Sequence, residues 1–278
     1  MPRRMGPPIL MYHSISDDAH ARFRKFAVSP ARFAEQMAYL AEQGYTTLTV
    51  SQYVQRRNLG LPLPDRMVVL TFDDGFADFQ TAALPVLKRY GFTATLYLPT
   101  AFIGDTSRWL QWENEAGRPL LTWPQVAEVQ AQGIECGAHS HQHLPLDVLS
   151  TARAEAEITR CKQILEDRLG SEVTSFAYPY GYHRPTIQRL VRDAGYATAC
   201  AVQYRRSSIE ENVFTLSRFL VAGTMVPGAF AELLRDRTSQ LNPGYERLRA
   251  RLWHRLRWSR QVMQQVFKGT EKYGAGLT

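Results

Sequence analysis

Short apolar runs of strand length alternate along this chain with stretches whose apolar residues recur every three or four positions. The first run, residues 8–15 (PILMYHSI), precedes a clear helical signal. Ser29 stands as an N-cap, Pro30 takes the first helical position, and Val28 can staple onto Phe33. Phe33, Met37 and Leu40 then repeat at helical spacing until Gly44 ends the helix. Residues 45–50 (YTTLTV) are rich in β-formers, and residues 67–74 (MVVLTFDD) read as a buried strand. Phe79, Ala83, Val86 and Leu87 mark another helix, closed by Gly91. The alternation continues with a strand at 93–100, a helix at 124–132 and a strand at 134–139. A long helix at 150–169 leads to a strand at 173–180, and a helix at 185–194 to strands at 196–202 and 214–221.

Six or more strand-then-helix units require parallel pairing, with helices outside the sheet. No glycine-rich phosphate turn follows the first strand, so a closed or partly closed α/β barrel fits better than an open nucleotide-binding sheet. Residues 8–240 are expected to form one catalytic domain and 243–278 a C-terminal helical extension.

Composition narrows this picture. The chain has 278 residues, 45% hydrophobic and 21% charged, which excludes a disordered or low-complexity protein. Its three cysteines are too scattered for a disulfide framework or an all-cysteine zinc site. No run approaches the ~20 apolar residues of a spanning helix. The basic start (Met1-Pro2-Arg3-Arg4) lacks a long apolar run and a small-residue cleavage site, so the expected location is cytoplasmic. The net charge is +7, but residues 245–272 hold eight basic residues against two acidic, so the body is near neutral and nucleic acid is not an expected partner. In that tail Tyr245, Leu248, Leu252, Leu256, Met263 and Val266 recur at helical spacing among arginines. Such a basic amphipathic helix could pack on its own domain or lie on an anionic membrane surface, which would make the protein peripheral to the membrane.

Two polar clusters at strand ends carry the candidate chemistry. Asp73 and Asp74, in Thr71-Phe72-Asp73-Asp74-Gly75, repel each other unless a cation or proton intervenes; the plainer reading is a helix N-cap. His139-Ser140-His141-Gln142-His143 places three histidines in five residues. An extended strand would point all three one way, whereas a turn would pair only His139 and His143, and Pro145 favours the turn. Two imidazoles and one carboxylate suit zinc or another divalent transition metal, with the spare aspartate as general base. Non-haem iron oxygenases use the same ligand set, but the second carboxylate favours hydrolysis.

TFDDG, then H-S-x-x-H, then a YPYG segment, in that order, resemble the polysaccharide deacetylase family with its NodB homology domain. MYHSI (11–15), residues 28–45 and FAYPYG (176–181) resemble the subgroup acting on exopolysaccharides, including poly-N-acetylglucosamine deacetylases. The resemblance covers roughly residues 8–222 and implies a distorted (β/α) barrel. It implies Asp73 as general base, Asp74, His139 and His143 as ligands of Zn2+ (with Ni2+, Co2+ or Fe2+ as alternatives), and the Tyr180 N–H as an oxyanion donor. The implied substrate is an acetylated carbohydrate, most simply an N-acetyl sugar of exopolysaccharide or cell-envelope glycan.

The chain departs from the family pattern twice. Ala177 stands where an arginine usually orients the catalytic aspartate, and Arg218 is the candidate replacement. The late Leu-x-His segment that supplies a general acid is missing, which leaves His13 as the best substitute. Trp109, Trp112, Tyr178 and Tyr182 are expected to line a sugar groove. Two other readings stay open: a deformylase or cyclic-amide hydrolase acting on a small molecule, and a catalytically silent carbohydrate-binding protein on the same fold.

Overall fold

A computed structural model describes residues 5–203 and 205–235. The basic start at residues 1–4 and the amphipathic tail expected at 243–278 lie outside the described residues. The elements are β1 (Ile9–Tyr12), β2 (Ser14–Ile15), β3 (Ala27–Val28), α1 (Pro30–Glu42), β4 (Thr46–Leu48), α2 (Val50–Asn58), β5 (Met67–Phe72), α3 (Leu84–Arg89) and β6 (Thr95–Leu98). They continue with α4 (Trp123–Ala131), β7 (Glu135–Ala138), α5 (Thr151–Leu169), β8 (Ser175–Ala177), α6 (Pro185–Asp193), β9 (Thr198–Cys200), β10 (Phe219–Leu220) and α7 (Pro227–Arg235).

The main sheet runs β10-β1-β5-β6-β7-β8-β9, with β4 beside the first half of β5, and every ladder in it is parallel. Leu216, just before β10, makes a parallel bridge to Cys200 in β9, while β10 itself pairs with β1. One segment thus touches both ends of the row and curls it into the distorted (β/α) barrel expected from sequence.

Alternation along the strands sorts side chains into two sets. Ile9, Val69, Tyr97, Ala177, Cys200 and Leu216 fill the barrel interior. Leu10, Tyr12, Leu70, Phe72, Leu96, Phe176 and Tyr178 face outward and meet α1, α4, α5 and α6. Continued two residues at a time, the inner set reaches His13, Asp73, His139 and Arg218.

The expected α1 is present, and the Ser29 side chain accepts from the Arg32 N–H. Other expectations need correction. The run at 8–15 breaks at His13, and β2 leaves the barrel to pair with β3 in a separate ladder. The strand expected at 173–180 stops at Ala177, because Pro179 begins a tight turn. Two helices, α2 and α7, were not expected. At α2, Thr49 and Gln52 form a reciprocal capping box. The first turn of α2 closes the barrel floor: the Val50 N–H donates to Thr95 Oγ1 at 2.9 Å, and Thr95 Oγ1 donates to Glu135 Oε2 at 2.6 Å.

Candidate active site

Asp73 is the first residue beyond β5, and its N–H still bonds the Tyr12 carbonyl at 3.0 Å, so its side chain stays on the inner face. There it meets Arg218 in a bidentate pair: Nη1 to Oδ1 at 2.7 Å and Nη2 to Oδ2 at 2.8 Å. Arg218 has no solvent exposure and Asp73 only 3%. The guanidinium also donates to the Ala201 carbonyl and Thr71 Oγ1, and it lies over the Tyr97 ring. Two charges so deeply buried need this degree of pairing, since loss of either partner strands the other. Burial works to raise the Asp73 carboxyl, but Arg218 and His139 outweigh it and hold the group below its ordinary value. Arg218 thus clamps the Asp73 carboxylate at both of its oxygens.

Asp74 is the next residue, and its left-handed backbone (φ 78°) turns it toward the histidines. Gly75 follows at φ 67°, where a Cβ would meet Leu98 Cδ2 at 2.7 Å, so a larger residue would strain the backbone and push the Leu98 side chain aside. His139 continues β7, with its N–H on the Leu98 carbonyl at 3.0 Å. His139 Nδ1 lies 2.8 Å from the Ala177 carbonyl, which fixes the proton there and leaves Nε2 as the lone-pair nitrogen. Nε2 of His139 is 3.5 Å and Nε2 of His143 3.1 Å from Asp74 Oδ1. That oxygen is buried and has hydrogen-bond geometry to neither. The ligand atoms of Asp74, His139 and His143 all lie within 4.8 Å of one another. A carboxylate oxygen faced by two imidazole nitrogens, without a proton aligned between them, fits a shared divalent cation. Burial opposes the Asp74 charge, yet His143 and His139 hold its carboxyl far below the ordinary range.

The turn pairs His139 with His143 and directs His141 elsewhere. His141 Nδ1 lies 2.9 Å from Thr100 Oγ1, outside the cluster. His13 is half-buried at the end of β1, with its ring 5.0 Å from Phe26. Burial pushes its pKa down, against the pull of Asp74 and Asp73. Tyr180 sits in the turn after β8 at φ 60°, with its ring 4.8 Å from His143 and stacked on Tyr182. Trp109 stacks on His143 at 4.7 Å, so one of its faces is already taken, whereas Trp112 is 73% exposed.

Tyr178 must be withdrawn from the sugar groove. It is fully buried on the outer face, and its hydroxyl donates to the Phe214 carbonyl at 3.0 Å. Strand parity carries that signal, because Tyr178 follows Phe176 at a spacing of two, opposite Ala177. Three functional contacts went unnoticed in the sequence: Thr71 on Arg218, the Ala177 carbonyl on His139, and the Tyr97 ring beneath the guanidinium.

A family model described as polysaccharide deacetylase matches residues 60–199. The inferred polysaccharide deacetylase YxkH of Bacillus subtilis (strain 168) is 28% identical over 223 residues, covering 80% of this chain and 74% of that protein. The poly-beta-1,6-N-acetyl-D-glucosamine N-deacetylase of Escherichia coli (strain K12) is 32% identical over 136 residues, 47% of this chain but only 20% of that longer protein. Among solved structures, the Streptococcus pyogenes deacetylase PplD in complex with acetate superposes with a TM-score of 0.71 at 24% identity, covering 82% of this chain and 97% of that one. IcaB from Ammonifex degensii gives 0.68 at 23%, covering 84% and 97%. At those identities the two structures speak for the fold.

Proposed function

The chain belongs to the polysaccharide deacetylase family, a family of carbohydrate deacetylases, and from that premise we propose that it hydrolyses N-acetyl groups on an exopolysaccharide or cell-envelope glycan. The observation that carries the reading is the Arg218-clamped Asp73 beside the Asp74, His139 and His143 cluster. Asp74, His139 and His143 would hold the divalent ion, with Zn2+ first among the candidates. Such an ion, when bound, supplies Lewis acidity and lowers the pKa of coordinated water toward ~7.

The chain's own residues do the rest. Asp73, ionised and fixed by two hydrogen bonds, takes a proton from the attacking water at a carboxylate oxygen. Arg218 orients Asp73, in place of the arginine missing at Ala177. The Tyr180 N–H, in the turn beside His143, stabilises the oxyanion of the tetrahedral intermediate. His13 protonates the departing amine. Its lowered pKa makes the imidazolium a readier donor, although a smaller fraction is protonated at neutral pH. Tyr182 and Trp112 offer aromatic faces to a sugar ring, and Trp109 supports His143 from behind.

An intact base and ligand set speaks against a silent binding protein. The test is acetate release from a panel of N- and O-acetylated sugars and oligosaccharides, with formamides and cyclic amides alongside. Each substrate is assayed with chelator and again with restored metal. Release from N-acetyl sugars that stops with chelator and returns with metal supports the reading. Turnover of formamides or cyclic amides alone would replace it.

A further inference from the structure

His143 reaches its position on a backbone that most side chains avoid. Ser140 and His143 both adopt left-handed conformations, at φ 60° and 53°. Such residues persist only where the surroundings enforce them. The enforcement comes from α5. The Gln142 N–H, between the two strained residues, donates to Glu157 Oε2 at 2.6 Å. The His141 N–H donates to the Glu157 main-chain carbonyl at 3.1 Å. Glu157 is 6% exposed, although its stretch of sequence (TARAEAEITR) reads as the wet face of a helix. A buried carboxylate needs donors, and here the turn that bears the histidines supplies one. The nineteen-residue α5 packs along β7 and α6, so it offers a rigid base for this hold. Glu157 contributes no atom to the ligand cluster itself.

We propose that Glu157 is a positioning residue: its carboxylate fixes the 139–143 turn so that His143 Nε2 faces Asp74, and it thereby sets the affinity of the site for a divalent ion. This rests on reading Asp74, His139 and His143 as metal ligands, and the experiment separates the two claims. Zn2+ affinity is measured on the full chain by competition with a chromophoric chelator, for wild type, Asp74→Ala, Glu157→Ala, Glu157→Asp and Glu157→Gln. The visible spectrum of the Co2+ form reports ligand geometry in parallel. Glu157→Ala and Glu157→Asp, which remove or shorten the reach to the Gln142 N–H, are expected to weaken binding roughly 10–100-fold and to alter the Co2+ spectrum. Glu157→Gln keeps an acceptor oxygen and is expected to recover most of the affinity. If the alanine variant does not fold, the aspartate variant decides. Wild-type affinity in Glu157→Asp, or a glutamine variant as weak as the aspartate one, overturns the proposal. A wild-type chain that binds no Zn2+ would instead sink the ligand reading beneath it.

Discussion

The two ends of the barrel differ in how their central carboxylates are answered and in how strained their backbones are. At the floor, Glu135 is answered on both oxygens: Thr95 Oγ1 and the Ser51 N–H reach Oε2, while Ser51 Oγ bonds Oε1 and also Thr174 Oγ1. At the mouth, Asp74 Oδ1, His143 Nδ1, His13 Nδ1 and Trp109 Nε1 are buried without a hydrogen-bond partner. The mouth also holds four of the five non-glycine residues with left-handed backbones among the described residues: Asp74, Ser140, His143 and Tyr180. Unanswered polar atoms and strained backbones both cost stability, and natural folds keep few of them. The strained backbones gather at the mouth, whereas partnerless buried atoms also occur on the floor side, at Tyr53 Oη and Arg57 Nη1 of α2. The mouth is also the end where barrel strands carry catalytic residues.

Substitutions can sharpen this contrast. The largest effect is expected from Asp73→Asn, which should lower kcat by roughly 10²–10⁴ in acetate release while leaving metal content intact. Full activity in that variant would remove Asp73 as the base.

Arg218→Met should act on both stability and pH dependence. It leaves the Asp73 carboxylate buried and unpaired, a loss of about 3–5 kcal/mol in denaturant unfolding. Because the Asp73 pKa is depressed in the folded state, its contribution to stability is present above the unfolded value of ~3.9 and fades as pH falls through the folded value. Without Arg218 the carboxyl rises, so the acid limb of kcat/KM should move to higher pH. An unmoved limb would mean that Arg218 does not tune the base.

At the floor, Thr95→Val should behave differently. It strands the Val50 N–H and leaves Glu135 Oε2 with the longer bond from the Ser51 N–H alone, at a cost of about 1–3 kcal/mol, with kcat/KM unchanged. A catalytic loss as large as the stability loss would erase the distinction between the two ends. The smallest effects separate two tyrosines. Tyr178→Phe should cost about 1 kcal/mol with no change in KM, and Tyr182→Ala should raise KM a few-fold with little change in Tm. The reverse pattern would return Tyr178 to the groove.

Much of the site was legible because it lies at strand ends. Asp73 and Asp74 close a run of apolar residues, and the paired histidines follow another, so both clusters stood out against their strands. The turn geometry that selects His139 and His143 over His141 could be argued from Pro145. Arg218 could be suspected only because Ala177 left a role vacant; the pairing itself is a contact between β5 and the segment before β10, 145 residues apart. Tyr178 was misplaced because composition was weighed ahead of strand parity. Helix α2 was overlooked because its residues, VSQYVQRRN, are mostly polar, although Thr49 and Gln52 had the spacing of a capping box. Glu157 was hidden for a related reason: burial of a charged helical residue depends on what the helix packs against.

The measurement closest to the centre of this picture is metal stoichiometry on the purified full chain after equilibration with Zn2+. About one bound equivalent is expected for wild type and for Asp73→Asn, and essentially none for Asp74→Ala. A full equivalent retained by Asp74→Ala, or lost in Asp73→Asn, would contradict the division of labour between the two adjacent aspartates.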